Sequence, residues 1–107
     1  MKIFISMPMK SKSTDQVKTE RDNVFEFIKS KLPESELIDS VIDGADKEIA
    51  LKGDDIGCWY LGESIKMLAG ADIVFFVNNW KDFRGCSAER NIANAYKKFC
   101  VDIEVNY

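Results

Sequence analysis

Glu89 is the residue on which a chemical reading of this sequence turns. It falls in "WKDFRGCSAERNIANAY" (80–96), where a loop gives way to a helix, on the stripe shared with Ile92, Ala93 and Tyr96. That stripe should pack against a core, and a carboxylate half-buried there is costly unless it has a partner or a task. Helical side chains lean toward the helix N-terminus, so this one would reach back to the loop before it. The same placement also suits a glutamate that merely offsets the helix dipole, a contribution of about 0.3–1 kcal/mol. The chain contains no histidine. Ser-His-Asp and Cys-His nucleophiles and His-ligated metals are therefore excluded, and acid–base or nucleophilic work falls to carboxylates, hydroxyls, thiols or lysines.

Other residues invite the same question. Arg21 shares one helical face with Val17, Val24 and Ile28. It could present its guanidinium to a bound anion, or lay its stem on the core and reach water. "MPMKSKST" (7–14) precedes that helix. Its backbone amides, the hydroxyls of Ser11, Ser13 and Thr14, and the charges of Lys10 and Lys12 would suit a phosphate, as they would an ordinary solvated loop. It lacks the glycine frame and Lys-Ser/Thr ending of a P-loop. Ser64 sits on the inner side of another helix with Tyr60, Leu61 and Leu68, either as a packing residue or beside a site. In "NNWKDFRG" (78–85), Trp80 and Phe83 could stack a base and Asn78 and Asn79 could bond sugar or base edges, or the aromatics could simply pin the loop. Residues 43–55 are acidic but lack calcium-loop spacing, and read as a solvated loop. No metal site and no cofactor is expected.

The elements that must position these residues follow from pattern. "KIFISM" (2–7) predicts a strand. Ser13, three residues before Gln16, forms a capping-box pattern and starts a helix that ends at Pro33. "ELIDSVI" (36–42) predicts a second strand, and 58–70 a helix stopped by Gly70. "ADIVFFV" (71–77) is apolar throughout, as in a strand buried on both faces of a parallel sheet. A third helix is expected over 86–99 and an alternating, edge-like strand over 101–105. This order implies one α/β domain over residues 1–107, with a parallel sheet of about four strands ordered 2-1-3-4. The winding reverses between strands 1 and 3, and ligands of open α/β sheets sit at such a switch point. The segments from Met7 to Ser13 and from Asn78 to Gly85 converge there.

Composition narrows the class. The chain has 107 residues and a net charge of -3, which disfavours a duplex nucleic-acid binder. No apolar run approaches the roughly 20 residues that cross a bilayer, and the first residues are too briefly apolar for a secretory signal. A cytoplasmic protein is expected. Three well-separated cysteines imply neither a disulfide framework nor a zinc knuckle.

Taken together, "KIFISMPM", "WYLGESIKMLAGADIVFFV" and "RGCSAERNIANAY" resemble the nucleoside 2-deoxyribosyltransferase-like superfamily, in particular its small phage and bacterial branch. The resemblance runs over nearly the whole chain. It implies a flavodoxin-like or Rossmann-like three-layer fold. It also implies cleavage or transfer at the N-glycosidic bond of a deoxynucleoside or its 5'-monophosphate, with Glu89 attacking the anomeric carbon. Family members carry an Asp near the position of Ser64, where it assists proton transfer to the leaving base. Ser64 is a poor general acid, so Glu63 or Asp82 would have to stand in, or turnover would be weak or absent. On this reading substrate would meet Met7, Ser11, Ser13, Arg21, Asn78, Trp80, Arg84 and Gly85 around the switch point, with Ser11, Ser13, Arg21 and Arg84 holding phosphate or sugar and Trp80 near the base. The resemblance implies a homodimer or larger homo-oligomer whose neighbouring subunit completes the pocket, for which Asn106 and Tyr107 are candidates. The rival readings are a nucleotide-binding module without turnover, acting as sensor or sponge, and a purely structural domain.

Overall fold

The structure, a computed structural model, describes residues 1–9, 12–40 and 55–105. Four strands and three helices alternate: β1 (Lys2–Ser6), α1 (Thr14–Lys31), β2 (Glu36–Leu37), α2 (Ile56–Leu68), β3 (Ile73–Val77), α3 (Arg84–Ala95) and β4 (Phe99–Ile103), with one 3-10 turn at Trp80–Asp82. The strands form a single parallel sheet in the order β2-β1-β3-β4, as the sequence pattern predicts. In register, Ser6 at the end of β1 lies beside Phe76 of β3. Among the described residues no helix is long and apolar enough to cross a membrane.

Alternation along the central strands divides the core into two layers. Ile3, Ile5, Phe75 and Val77 face α1 and pack with its Val24 and Ile28. Phe4, Val74 and Phe76 face the other way and pack with Leu68 of α2 and Ala93 of α3. α1 therefore covers one face and α2 and α3 the other. Ser6 continues the second row, so its side chain projects toward α3.

Several boundaries differ from the sequence expectation, each for a local reason. Strand pairing of β2 stops at Leu37 instead of continuing to 42. Ile38 still donates its N–H to Ile3, at 2.9 Å, but its side chain packs in the α2/α3 layer and Asp39 turns aside to bind Arg21. Residues 41 and 42 lie outside those described. α2 starts two residues early because Asp55 caps it, Oδ1 accepting from the Cys58 N–H at 2.9 Å. α3 runs over Arg84–Ala95, and β4 starts at Phe99 instead of 101. The helix stops at a Schellman turn: Lys97 adopts φ 58°, its N–H bonds to Asn94 O at 3.1 Å, and the Lys98 N–H bonds to Ala93 O at 2.8 Å. Glycine usually fills that left-handed position; a lysine there leaves no mark in the sequence. Ser13 caps α1 as expected, its Oγ accepting from the Gln16 N–H at 3.1 Å, but the Gln16 amide does not close the box and donates to Glu20 Oε1 at 3.2 Å instead.

Candidate active site

Glu89 lies one and a half turns into α3, on the buried stripe it shares with Cys86 and Ala93. It is 8% exposed, and its Oε1 accepts a hydrogen bond of 3.1 Å from Ser6 Oγ. Ser6 is itself only 2% exposed. The carboxylate thus meets the carboxyl end of β1, where the sheet's winding reverses. Burial raises its pKa from the ordinary 4.5 to about 7, and the Ser6 hydrogen bond offsets only part of that. Near neutral pH both protonation states are accessible, as suits an acid–base or nucleophilic group.

Two cavities share this carboxylate in their walls. The outer one is a cleft of about 730 Å³ between α1, α2 and α3, whose walls include Lys12, Asp55, Tyr60, Arg84 and Gly85. The inner one is a chamber of about 20 Å³ walled by Ser6, Met7 and Arg21. Glu89 and Ser64 line both. Arg84 and Gly85 belong to the first turn of α3. The Arg84 side chain leans toward the start of α2, where a Cβ added to Gly57 would lie 3.5 Å from its Nη2. The expected residues Glu89, Ser64, Met7, Arg84 and Gly85 are therefore brought together.

Others are placed elsewhere. Arg21 is buried, but Nη1 binds Asp39 at 2.7 Å, and Arg21 walls the inner chamber, not the outer cleft. Ser13 is occupied as the α1 cap, and its neighbour Thr14 lines the cleft instead. Asn78 and Trp80 line a separate cleft of about 370 Å³ between the ends of β3 and β4. The side chain of Asn78 is spent on backbone: Nδ2 donates to Val105 O at 3.1 Å, and Oδ1 accepts from the Val105 N–H at 2.9 Å. The Trp80 ring packs on Phe76, centroids 5.2 Å apart, with the Arg90 guanidinium 5.1 Å from its centre. Trp80 thus pins the loop and is not available to stack a base over Glu89. Neither candidate stand-in acid is among the described cleft walls: Glu63 pairs with Lys66 at 3.0 Å, and Asp82 lines the β3/β4 cleft. Ser11, Lys10, Asn106, Tyr107 and the acidic run up to residue 54 lie outside the described residues.

Sequence reasoning missed Ser6, because a serine within an apolar strand carries no sign of its partner 83 residues away. It also missed Asp55, the other carboxyl on the cleft wall, although an Asp just before an apolar helical run is a capping signal. Cys86, beside Ser6 and Glu89, is held as the neutral thiol near neutral pH. Burial pushes its thiol up to about 11, a Ser6 hydrogen bond lowers it in part, and the Glu89 charge raises it further. Among the described residues no group of His, Cys, Asp and Glu could hold a metal ion. Neither a family model, nor a curated protein, nor a solved structure matches the chain.

Proposed function

We propose that the chain cleaves or transfers the N-glycosidic bond of a deoxynucleoside or its 5'-monophosphate, with Glu89 as the nucleophile. One observation carries this reading: a buried carboxylate, held by Ser6, lies at the floor of a cleft large enough for a nucleotide. Cleaving a glycosidic bond develops oxocarbenium charge at C1', which an adjacent carboxylate captures. The C1'–N bond breaks with its electron pair leaving on the base, which takes a proton from solvent. A Glu89 oxygen bonds C1', and water or a second base then displaces it, regenerating the carboxylate. Arg84 and the amide of Gly85 at the start of α3 are placed for a 5'-phosphate. Ser64 lies beside the sugar. The proposed setting is the cytoplasm, and the proposed assembly is a homodimer through the β4 edge, where Tyr96 and Phe99 are 79% and 64% exposed.

A second reading, a nucleotide-binding module without turnover, is favoured by one specific feature. Among the described cleft residues the only carboxyl besides Glu89 is Asp55, and it is engaged in capping α2. Incubation with a panel of nucleosides, deoxynucleosides and their 5'-monophosphates separates the two. Free base in the supernatant supports the enzyme. A rise in Tm without free base supports the module, because a ligand that prefers the native state stabilises it. Neither response from any compound leaves only the structural domain.

A further inference from the structure

The inner chamber holds an accounting problem. Arg21 is 8% exposed. Its Nη1 is spent on Asp39, and its Nη2 lies 3.7 Å from Asp22. Among the described residues its Nε is buried with no hydrogen-bond partner. Buried N–H groups are nearly always paired, so this donor calls for an acceptor. Arg21 walls a chamber whose other polar walls are Ser6, Ser40, Ser64 and Glu89. The Ser6 hydroxyl already donates to Glu89 Oε1, yet a carboxylate accepts several hydrogen bonds and has capacity left.

Size and charge then select the occupant. The chamber measures about 20 Å³, and one water needs about 10–15 Å³. A phosphate is far too large, so the anion role open to Arg21 on sequence grounds does not suit this position. The guanidinium repels a cation. An ether or carbonyl oxygen would accept from Nε but give nothing to Glu89. A hydroxyl oxygen does both, accepting from the arginine and donating to the carboxylate or a neighbouring serine.

We infer that Arg21 and Glu89 wall a one-oxygen subsite at the floor of the cleft, which takes a hydroxyl oxygen, either a bound water or a hydroxyl of a sugar ligand. The subsite stands without the glycosidic reading; only its sugar arm rests on that reading. Because Glu89 lines chamber and cleft alike, a ribose whose C1' meets Glu89 has its C2' hydroxyl close to the chamber mouth, whereas a 2'-deoxy sugar lacks that hydroxyl and leaves the water in place.

High-resolution crystal structures of the full chain test this, one without additive and others soaked with adenosine or 2'-deoxyadenosine 5'-monophosphate. The expected result is an ordered oxygen about 2.9 Å from Arg21 Nε. A water present in all the crystals identifies solvent as the source; a water replaced by a nucleotide hydroxyl identifies the sugar. No ordered oxygen in any of them, or Nε donating to a protein atom, overturns the proposal. Arg21→Lys keeps a cation for Asp39 but lacks Nε, and is expected to lose the ordered oxygen. If the occupant is a sugar hydroxyl, Arg21→Lys should also weaken binding of the hydroxyl-bearing nucleotide roughly tenfold, and leave unchanged a nucleotide lacking that hydroxyl. Should that variant not fold, the wild-type crystals decide alone. Failure to release free base would sink the glycosidic reading and leave this subsite intact; an unfilled chamber would do the reverse.

Discussion

At the scale of single residues, Glu89 and Ser6 trade stability against reactivity. The native state holds the Glu89 proton more tightly than an unfolded chain, because its pKa is raised from 4.5 to about 7. Its contribution to stability is therefore full below about pH 4.5, declines as pH rises toward 7, and stays lost above. The difference is worth at most roughly 3 kcal/mol. Glu89→Gln keeps the shape and an acceptor for Ser6 without the ionisation. Urea denaturation is expected to find this variant more stable than wild type at pH 8, by up to that amount, and the gap should close toward pH 4.5. A gap that does not depend on pH would contradict the buried-carboxylate account. The same titration governs turnover. The nucleophile must be ionised, so base release should rise as pH passes through about 7. The Ser6 hydrogen bond lowers the pKa, so Ser6→Ala should move the rising limb of the pH–rate profile to higher pH and cost more activity at pH 6.5 than at pH 8.5.

At the scale of elements, the helix ends set where the cleft walls lie. Ser13 caps α1, and Ser13→Ala is expected to cost about 1 kcal/mol in denaturant titration with little effect on the cleft. Lys97 holds a left-handed backbone at the end of α3, where a side chain is penalised. Lys97→Gly should therefore raise stability by about 1 kcal/mol, read as a higher denaturation midpoint at unchanged slope. These ends also mark how far the sequence could be read. Strand order was legible because apolar periodicity reports burial directly, as in "IVFFV"; the stripe read on α3 holds at Glu89 and Ala93, but its last member, Tyr96, is 79% exposed because the helix ends before it. The early stop of α3 was not legible, because lysine is an unusual left-handed residue. The short β2 was not, because "ELIDSVI" has strand character throughout, whereas after Leu37 the Ile38 side chain packs in the α2/α3 layer and Asp39 binds Arg21. Asn78 and Trp80 were expected at the switch point but line the β3/β4 cleft instead, since a loop's direction after a strand depends on contacts such as Trp80 with Phe76 that no local pattern encodes.

At the scale of the whole molecule, a parallel sheet with helices on both faces leaves one crevice beyond the end of β1 where residues from β1, α1, α2 and α3 meet, and Glu89 and Ser64 lie there together. The outer edge of β4 carries exposed Phe99. Analytical ultracentrifugation is expected to find a dimer, and Phe99→Lys to shift it toward monomer while the helical circular dichroism signal is retained; a wild-type monomer at all concentrations would remove the proposed assembly. The central claim concerns that crevice and its carboxylate. Its most direct measurement is the initial rate of free-base release at pH 8 from a panel of deoxynucleoside 5'-monophosphates, with wild type and Glu89→Gln compared side by side. The account predicts release by wild type, reduced at least about a thousandfold in the folded variant. Release at equal rates by both proteins would contradict it.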